Sequence, residues 1–157
     1  MLMDLKSLKK DYDVLAKKYS LPSFDELDRD FEISKLDKEN DFLLRAVRKL
    51  MMEKIVNSIN FLEMLINHAN APRMYLPYIK TMSIEDRKLI EDIYNSLSHL
   101  TLMSLDLEIN STEEFEAKLV EKVFVDWNKM KPNFSKIVGN IKKPKRSLIK
   151  KDRSYFG

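Results

Sequence analysis

Two histidines, one run of acids and one run of bases are the residues whose types and spacing could carry chemistry in this chain. His68 and His99 could move protons or ligate a metal. Neither has a second histidine or a carboxylate three or four residues away, the spacing that sets two ligands on one helix face. Glu63 stands five residues before His68, on the wrong side, so the diiron-bundle pattern is absent. His68 reads as a side chain near a helix end that meets the last carbonyls. His99, beside Leu100, reads as a partly buried polar residue. Asp25, Glu26, Asp28, Asp30 and Glu32 could hold a divalent cation. Their spacing is not that of a calcium loop, and no glycine supplies its sharp turn. They read instead as a solvated helix face, with acids in a first turn where the dipole favours them.

The absence of cysteine removes disulfides, thiolate metal sites and thiol nucleophiles together. Only two glycines occur, Gly139 and Gly157, so no glycine-rich phosphate loop, dinucleotide fold or strained nucleophile turn can be built. No catalytic residue, cofactor or metal site is assigned from the sequence, and the chain is expected not to be an enzyme. A site assembled only in three dimensions from carboxylates and lysines lies beyond such a reading.

Charge is unevenly placed. The chain has 28 basic and 25 acidic side chains, a net charge of +3. Residues 142–157 hold seven of the bases (Lys142, Lys143, Lys145, Arg146, Lys150, Lys151 and Arg153) and one acid, Asp152, a net of +6. The rest keeps 21 bases and 24 acids, a net of −3. Pro144 and mutual repulsion predict a tail that is disordered when free. Leu148, Ile149, Tyr155 and Phe156 stand among its charges. Such a segment suits a polyanion, since its cations displace counterions from phosphates and a ring such as Tyr155 can stack on bases. Lys142–Arg146 also resembles a short nuclear import signal, which matters only in a eukaryotic cell. Three other readings stay open: a solvated end, a tail folded onto the acids at 25–32, and an aromatic terminus that docks in a partner's groove.

The elements that must position these groups are helical. A chain of 157 residues suits one domain, able to bury roughly 70% of its unfolded surface. Low glycine with abundant Lys, Glu, Leu, Ile and Met favours helix. Leu5, Leu8, Tyr12, Leu15 and Tyr19 form one face, ended by Leu21–Pro22. Ser23 and Glu26 read as a capping box before a short helix through Phe31. Residues 32–36 are ambiguous between a turn and an extended piece. The longest element is predicted from Lys38 to Ala69 on the stripe Leu44, Val47, Met51, Ile55, Ile59, Leu62 and Ile66, with its second half buried. It would span roughly 48 Å, longer than the domain is wide, so it must bend, break or project. On it, Arg45, Arg48 and Lys49 form a small basic face, which Asp41 and Glu53 are expected to pair within the helix.

Pro72 and Pro77 predict that residues 70–82 are not regular helix. Helices are predicted after Ser83, with the core face Leu89, Ile93, Leu97 and Leu100 and a frayed end near Ile109, and after a second capping box at Ser111–Glu114. Lys131–Pro132 is expected to break the last of these before a short helix through Ile141. Phe124, Trp127, Met130 and Phe134 read as core.

The expectation is therefore all-α: an irregular bundle of five or six helices with one long central helix, residues 1–141, followed by a disordered basic tail, residues 142–157. The function expected is an accessory protein that tethers to nucleic acid or nucleoprotein through that tail, without sequence specificity, while the body binds a protein partner. Homo-oligomers are compatible with this. The alternative is a protein-binding adaptor without nucleic-acid contact. Met74, Tyr75, Leu76, Tyr78 and Ile79 form the candidate partner surface, against the plainer reading of an apolar strap packed across the bundle. No window approaches the ~20 apolar residues of a membrane span. The start carries Asp4 and no apolar stretch after it, unlike a secretory signal. The expected location is intracellular: cytoplasmic, or nuclear in a eukaryote.

Overall fold

A computed structural model describes residues 4–37 and 42–143, and among them six α-helices and no strand: α1 (Leu5–Tyr19), α2 (Phe24–Phe31), α3 (Leu43–Ile66), α4 (Leu76–Thr81), α5 (Ile84–Ile109) and α6 (Glu113–Lys142). The chain is an all-α helical bundle. Residues from 144 onward, which hold most of the expected tail, lie outside the described part.

Local chemistry sets the helix ends. Asp4 accepts from the Lys6 amide and starts α1. Ser20 then turns left-handed at φ 54° ahead of Pro22. The Tyr12 hydroxyl donates to the Pro22 carbonyl at 2.6 Å, so the core of α1 also fixes the turn after it. Burial, with the charges of Asp13 and Glu26 behind it, raises the pKa of that phenol well above its usual value. Ser23 and Glu26 make the predicted capping box: Ser23 Oγ accepts from the Glu26 amide, and Glu26 Oε2 accepts from the Ser23 amide. Residues 33–35 form a 3₁₀ turn rather than an extended piece.

α3, α5 and α6 make the centre. Arg48 near the start of α3 meets Ser104 and Glu108 near the end of α5, so these two run antiparallel. Asn140 near the end of α6 reaches Asp86 at the start of α5, which makes that pair antiparallel too. The core is continuous through Met51, Ile55, Leu62, Ile93, Leu97, Leu100, Leu119, Val120, Val123 and Ile137. α1 and α2 add Leu8, Tyr12, Phe24, Leu27 and Phe31 to it.

Four sequence expectations need correction. The element predicted over 38–69 is described as helix only from Leu43 to Ile66, about 36 Å, and Lys38–Asp41 lie outside the described residues. It fits the bundle without projecting because Asn67 departs from helical geometry and a 3₁₀ turn follows at His68–Asn70. Its first half is as buried as its second, and Ile66 is exposed.

The proline-containing segment is not irregular throughout. Pro77 sits in the first turn of α4, where a missing N–H costs nothing, so a short helix forms. The start of α6 is capped by Thr112, whose hydroxyl accepts from the Phe115 amide, one residue later than the expected box. α5 stays helical through Ile109, across the stretch where its apolar stepping blurs and a frayed end is expected.

The fourth correction is Pro132, which does not end α6. Its ring removes one backbone hydrogen bond and crowds the preceding turn. Buried Trp127, Met130 and Ile137 lie on either side and hold the helix to the core through that defect. Pro132 itself is exposed. Pro132→Ala is therefore expected to raise stability by about 1–3 kcal/mol, read as a higher urea midpoint at unchanged slope. A lower midpoint would show that the ring contributes packing here.

Candidate functional site

The predicted basic residues begin where α6 ends. Lys142 is its last residue and Lys143 caps it, and both are exposed. Lys145, Arg146, Lys150, Lys151, Arg153 and Tyr155 lie outside the described residues. The cationic character starts earlier than residue 142, because no acid occurs between Asp126 and Asp152. Within α6, Lys118 and Lys122 are paired with Glu114 and Asp126 one turn away. Lys131 reaches Asp30 of α2 at 2.7 Å. No ion pair within 4.0 Å is formed by Lys129, Lys136, Lys142 or Lys143 among the described residues.

The apolar segment after α3 packs largely inward. Tyr78 and Ile79 are buried core residues and are not available to a partner. Tyr75 and Leu76 are half-buried, Tyr75 edge-on to Phe61 at 5.8 Å. Met74 stays exposed. This is the geometry of the strap. Burial raises the Tyr78 phenol to about 12, helped by the charge of Asp86, toward which its hydroxyl points at 3.4 Å.

The acids of α2 have structural work. Asp25 pairs with Lys9, Asp28 accepts from the Ser34 amide, Asp30 pairs with Lys131 and Glu32 with Lys35. His68 and His99 are both exposed, so His99 is not partly buried as its sequence position suggested. Among the described residues, no group of three His, Asp or Glu could hold a metal.

One polar cluster went unseen in the sequence. Arg48 is 1% exposed, and its guanidinium is held by carboxylates from α5 and α6 rather than from its own helix. Nε and Nη2 donate to the two oxygens of buried Glu116 at 2.7 and 3.0 Å. Nη1 donates to Ser104 Oγ at 2.9 Å and to Glu108 at 2.8 Å. Ser111 donates to Glu116 at 2.9 Å, and Arg45 to Glu108 at 3.2 Å. Desolvation pushes the Arg48 pKa down, but the hydrogen bonds and charges of Glu116 and Glu108 outweigh it and hold the guanidinium above its ordinary value. Arg48 in turn holds Glu108 below the usual carboxylate range. The sequence did carry a signal. Arg48 lies within the apolar stripe of α3, Ser104 within that of α5 and Glu116 within that of α6, one polar residue on each core face. With its donors directed onto these acceptors, Arg48 ties α3 to both α5 and α6.

At the same end of the bundle, Met103, Leu107, Ile109, Phe115 and Leu119 line a groove of about 360 Å³ between α5 and α6. Ile109 and Phe115 are exposed at its rim.

The class defined by this geometry is a helical bundle with a partly unpaired cationic helix end and an apolar groove. No protein-family model, curated protein or solved structure matches the chain. Among the described residues, no helix is long and apolar enough to cross a membrane.

Proposed function

We propose that this chain is a non-enzymatic accessory protein that tethers to nucleic acid, or to the nucleic-acid surface of a nucleoprotein, through the basic residues from Lys142 onward, while the helical body meets a protein partner. The observation that supports it best is the separation of charge: residues 142–157 carry +6 beside a body of −3. Lys142 and Lys143 sit exposed at the tip of α6, and the remaining cations follow them directly in the chain. Binding is electrostatic and independent of base sequence, and its strength comes from counterion release.

Seven engaged cations on a duplex give a log–log salt slope of about −6. A full-length variant carrying Lys145→Gln, Arg146→Gln, Lys150→Gln, Lys151→Gln and Arg153→Gln is expected to lose about 4.5 of that slope. The measurement is a salt titration of binding to a short DNA duplex and to single-stranded RNA. An unchanged slope, or no binding at low salt, would overturn the proposal.

A second reading, a protein-binding adaptor, is favoured by the apolar side chains around the α5–α6 groove. Absence of nucleic-acid binding together with a concentration-dependent dimer in sedimentation would select it.

A further inference from the structure

Lys129 and Lys136 of α6 and Lys143, which caps it, recur at intervals of seven residues. Seven residues bring an α-helix round to within about 20° of the same direction, with a rise of about 10.5 Å. The three lysines therefore form a line about 21 Å long, and all three are exposed. The buried residues of this half of the helix, Met130 and Ile137, lie on a different face. Lys118 and Lys122 continue the line toward the start of α6, but there each is matched by an acid one turn away. Lys129, Lys136 and Lys143 have no such partner among the described residues. The line ends where the basic residues 144–157 begin.

From this placement we infer that α6 itself is part of a nucleic-acid-binding surface: Lys129, Lys136 and Lys143 form a rail that touches backbone phosphates and extends the binding made by the residues beyond it. The inference rests on the proposed function and adds two cations, Lys129 and Lys136, that the sequence did not single out. A linear, regularly charged polymer suits a straight row of point charges. Lysine serves here as a compact cation rather than a reader of bases, so the rail adds affinity and no base preference. An anionic lipid surface fits less well. A helix lying on a membrane needs an exposed apolar face, and between Lys129 and Lys143 no large apolar side chain of α6 is exposed.

The test is the salt dependence of binding to a short DNA duplex by the full chain, with two charge-matched variants. Lys129→Gln/Lys136→Gln removes two cations from the rail. Lys10→Gln/Lys17→Gln removes two exposed cations from α1. The rail variant is expected to flatten the slope by about two, roughly one for each phosphate that is no longer neutralised, and the α1 variant to leave it unchanged. Circular dichroism confirms that both are folded. Equal effects from the two variants would reduce the rail to net charge and overturn the inference. A rail variant that binds like the parent, while the five-glutamine variant is impaired, would overturn the rail and leave the proposed function standing. Failure of every form to bind nucleic acid at low salt overturns both, and capture by phosphatidylserine vesicles in that case would identify a lipid surface instead.

Discussion

Arg48→Met is expected to lower stability by about 3–5 kcal/mol, although methionine nearly matches the apolar part of the side chain it replaces. The loss comes from what remains. Glu116 would stay buried with two oxygens stripped of their strongest donors, and only Ser111 would still reach it. Glu108 suffers less, because it is partly exposed and keeps Arg45. Arg48→Met/Glu116→Leu removes both buried charges and is expected to recover most of the loss, since a well-packed apolar pair can equal or exceed a buried ion pair. Urea unfolding of the two variants measures this. A single variant as stable as the parent would mean that Glu116 relaxes to solvent.

The same cluster gives a pH dependence whose sign is fixed by Glu108. Its folded pKa lies below its unfolded value, so the stabilisation is fully present above about 4.5, the ordinary glutamate value. It fades as the pH falls through the lower folded value.

The second large effect belongs to Trp127. Trp127→Ala is expected to cost about 3–5 kcal/mol. The indole joins α6 to α2 and to the later turns of α6, with Phe31 and Phe134 each at 6.1 Å. Lys54 Nζ sits 5.2 Å from the ring centre and also donates to the Asp30 carbonyl, so it ties α3 to the same spot. Trp127→Phe is expected to cost far less, under about 1.5 kcal/mol. The indole Nε1 is buried and finds no acceptor among the described residues, so phenylalanine removes an unsatisfied donor while it keeps an aromatic contact. Thermal unfolding separates the two variants. Equal losses would show that indole shape, not aromatic burial, is what the site requires.

Helix identity was largely legible in the sequence because periodicity and caps are local. Ser23 with Glu26, Ser83 before two acids, and the 3–4 stepping of α1 and α5 needed nothing from the rest of the fold. Legibility failed where distant packing overruled a local preference. Pro132 is a breaker in isolation, yet Trp127, Met130 and Ile137 hold its helix to the core. For the basic face Arg45, Arg48 and Lys49, the sequence offers Asp41 to Arg45 and Glu53 to Lys49 at four-residue spacing. The ion pairs form instead with Glu108 and Glu116, because α5 and α6 bring carboxylates onto Arg48, Glu116 at a buried position and Glu108 at its solvent edge. The basic segment was visible as composition, but its continuation up α6 was hidden. Which lysines are unpaired depends on where Asp30 and Asp126 stand in the fold.

Gly139 has nothing within 4 Å of where a side chain would begin, so packing does not explain its place in α6. With Pro132 about two turns earlier, it leaves the cationic half of α6 with the weakest intrinsic hold on helical geometry. Buried Ile137 is the anchor between them. Amide hydrogens beyond Ile137 should thus exchange through small end-fraying openings that leave the core shut, and the tip of the helix can adjust its path by releasing only the Asn140–Asp86 contact and Ile141 from α3 and α5 behind it.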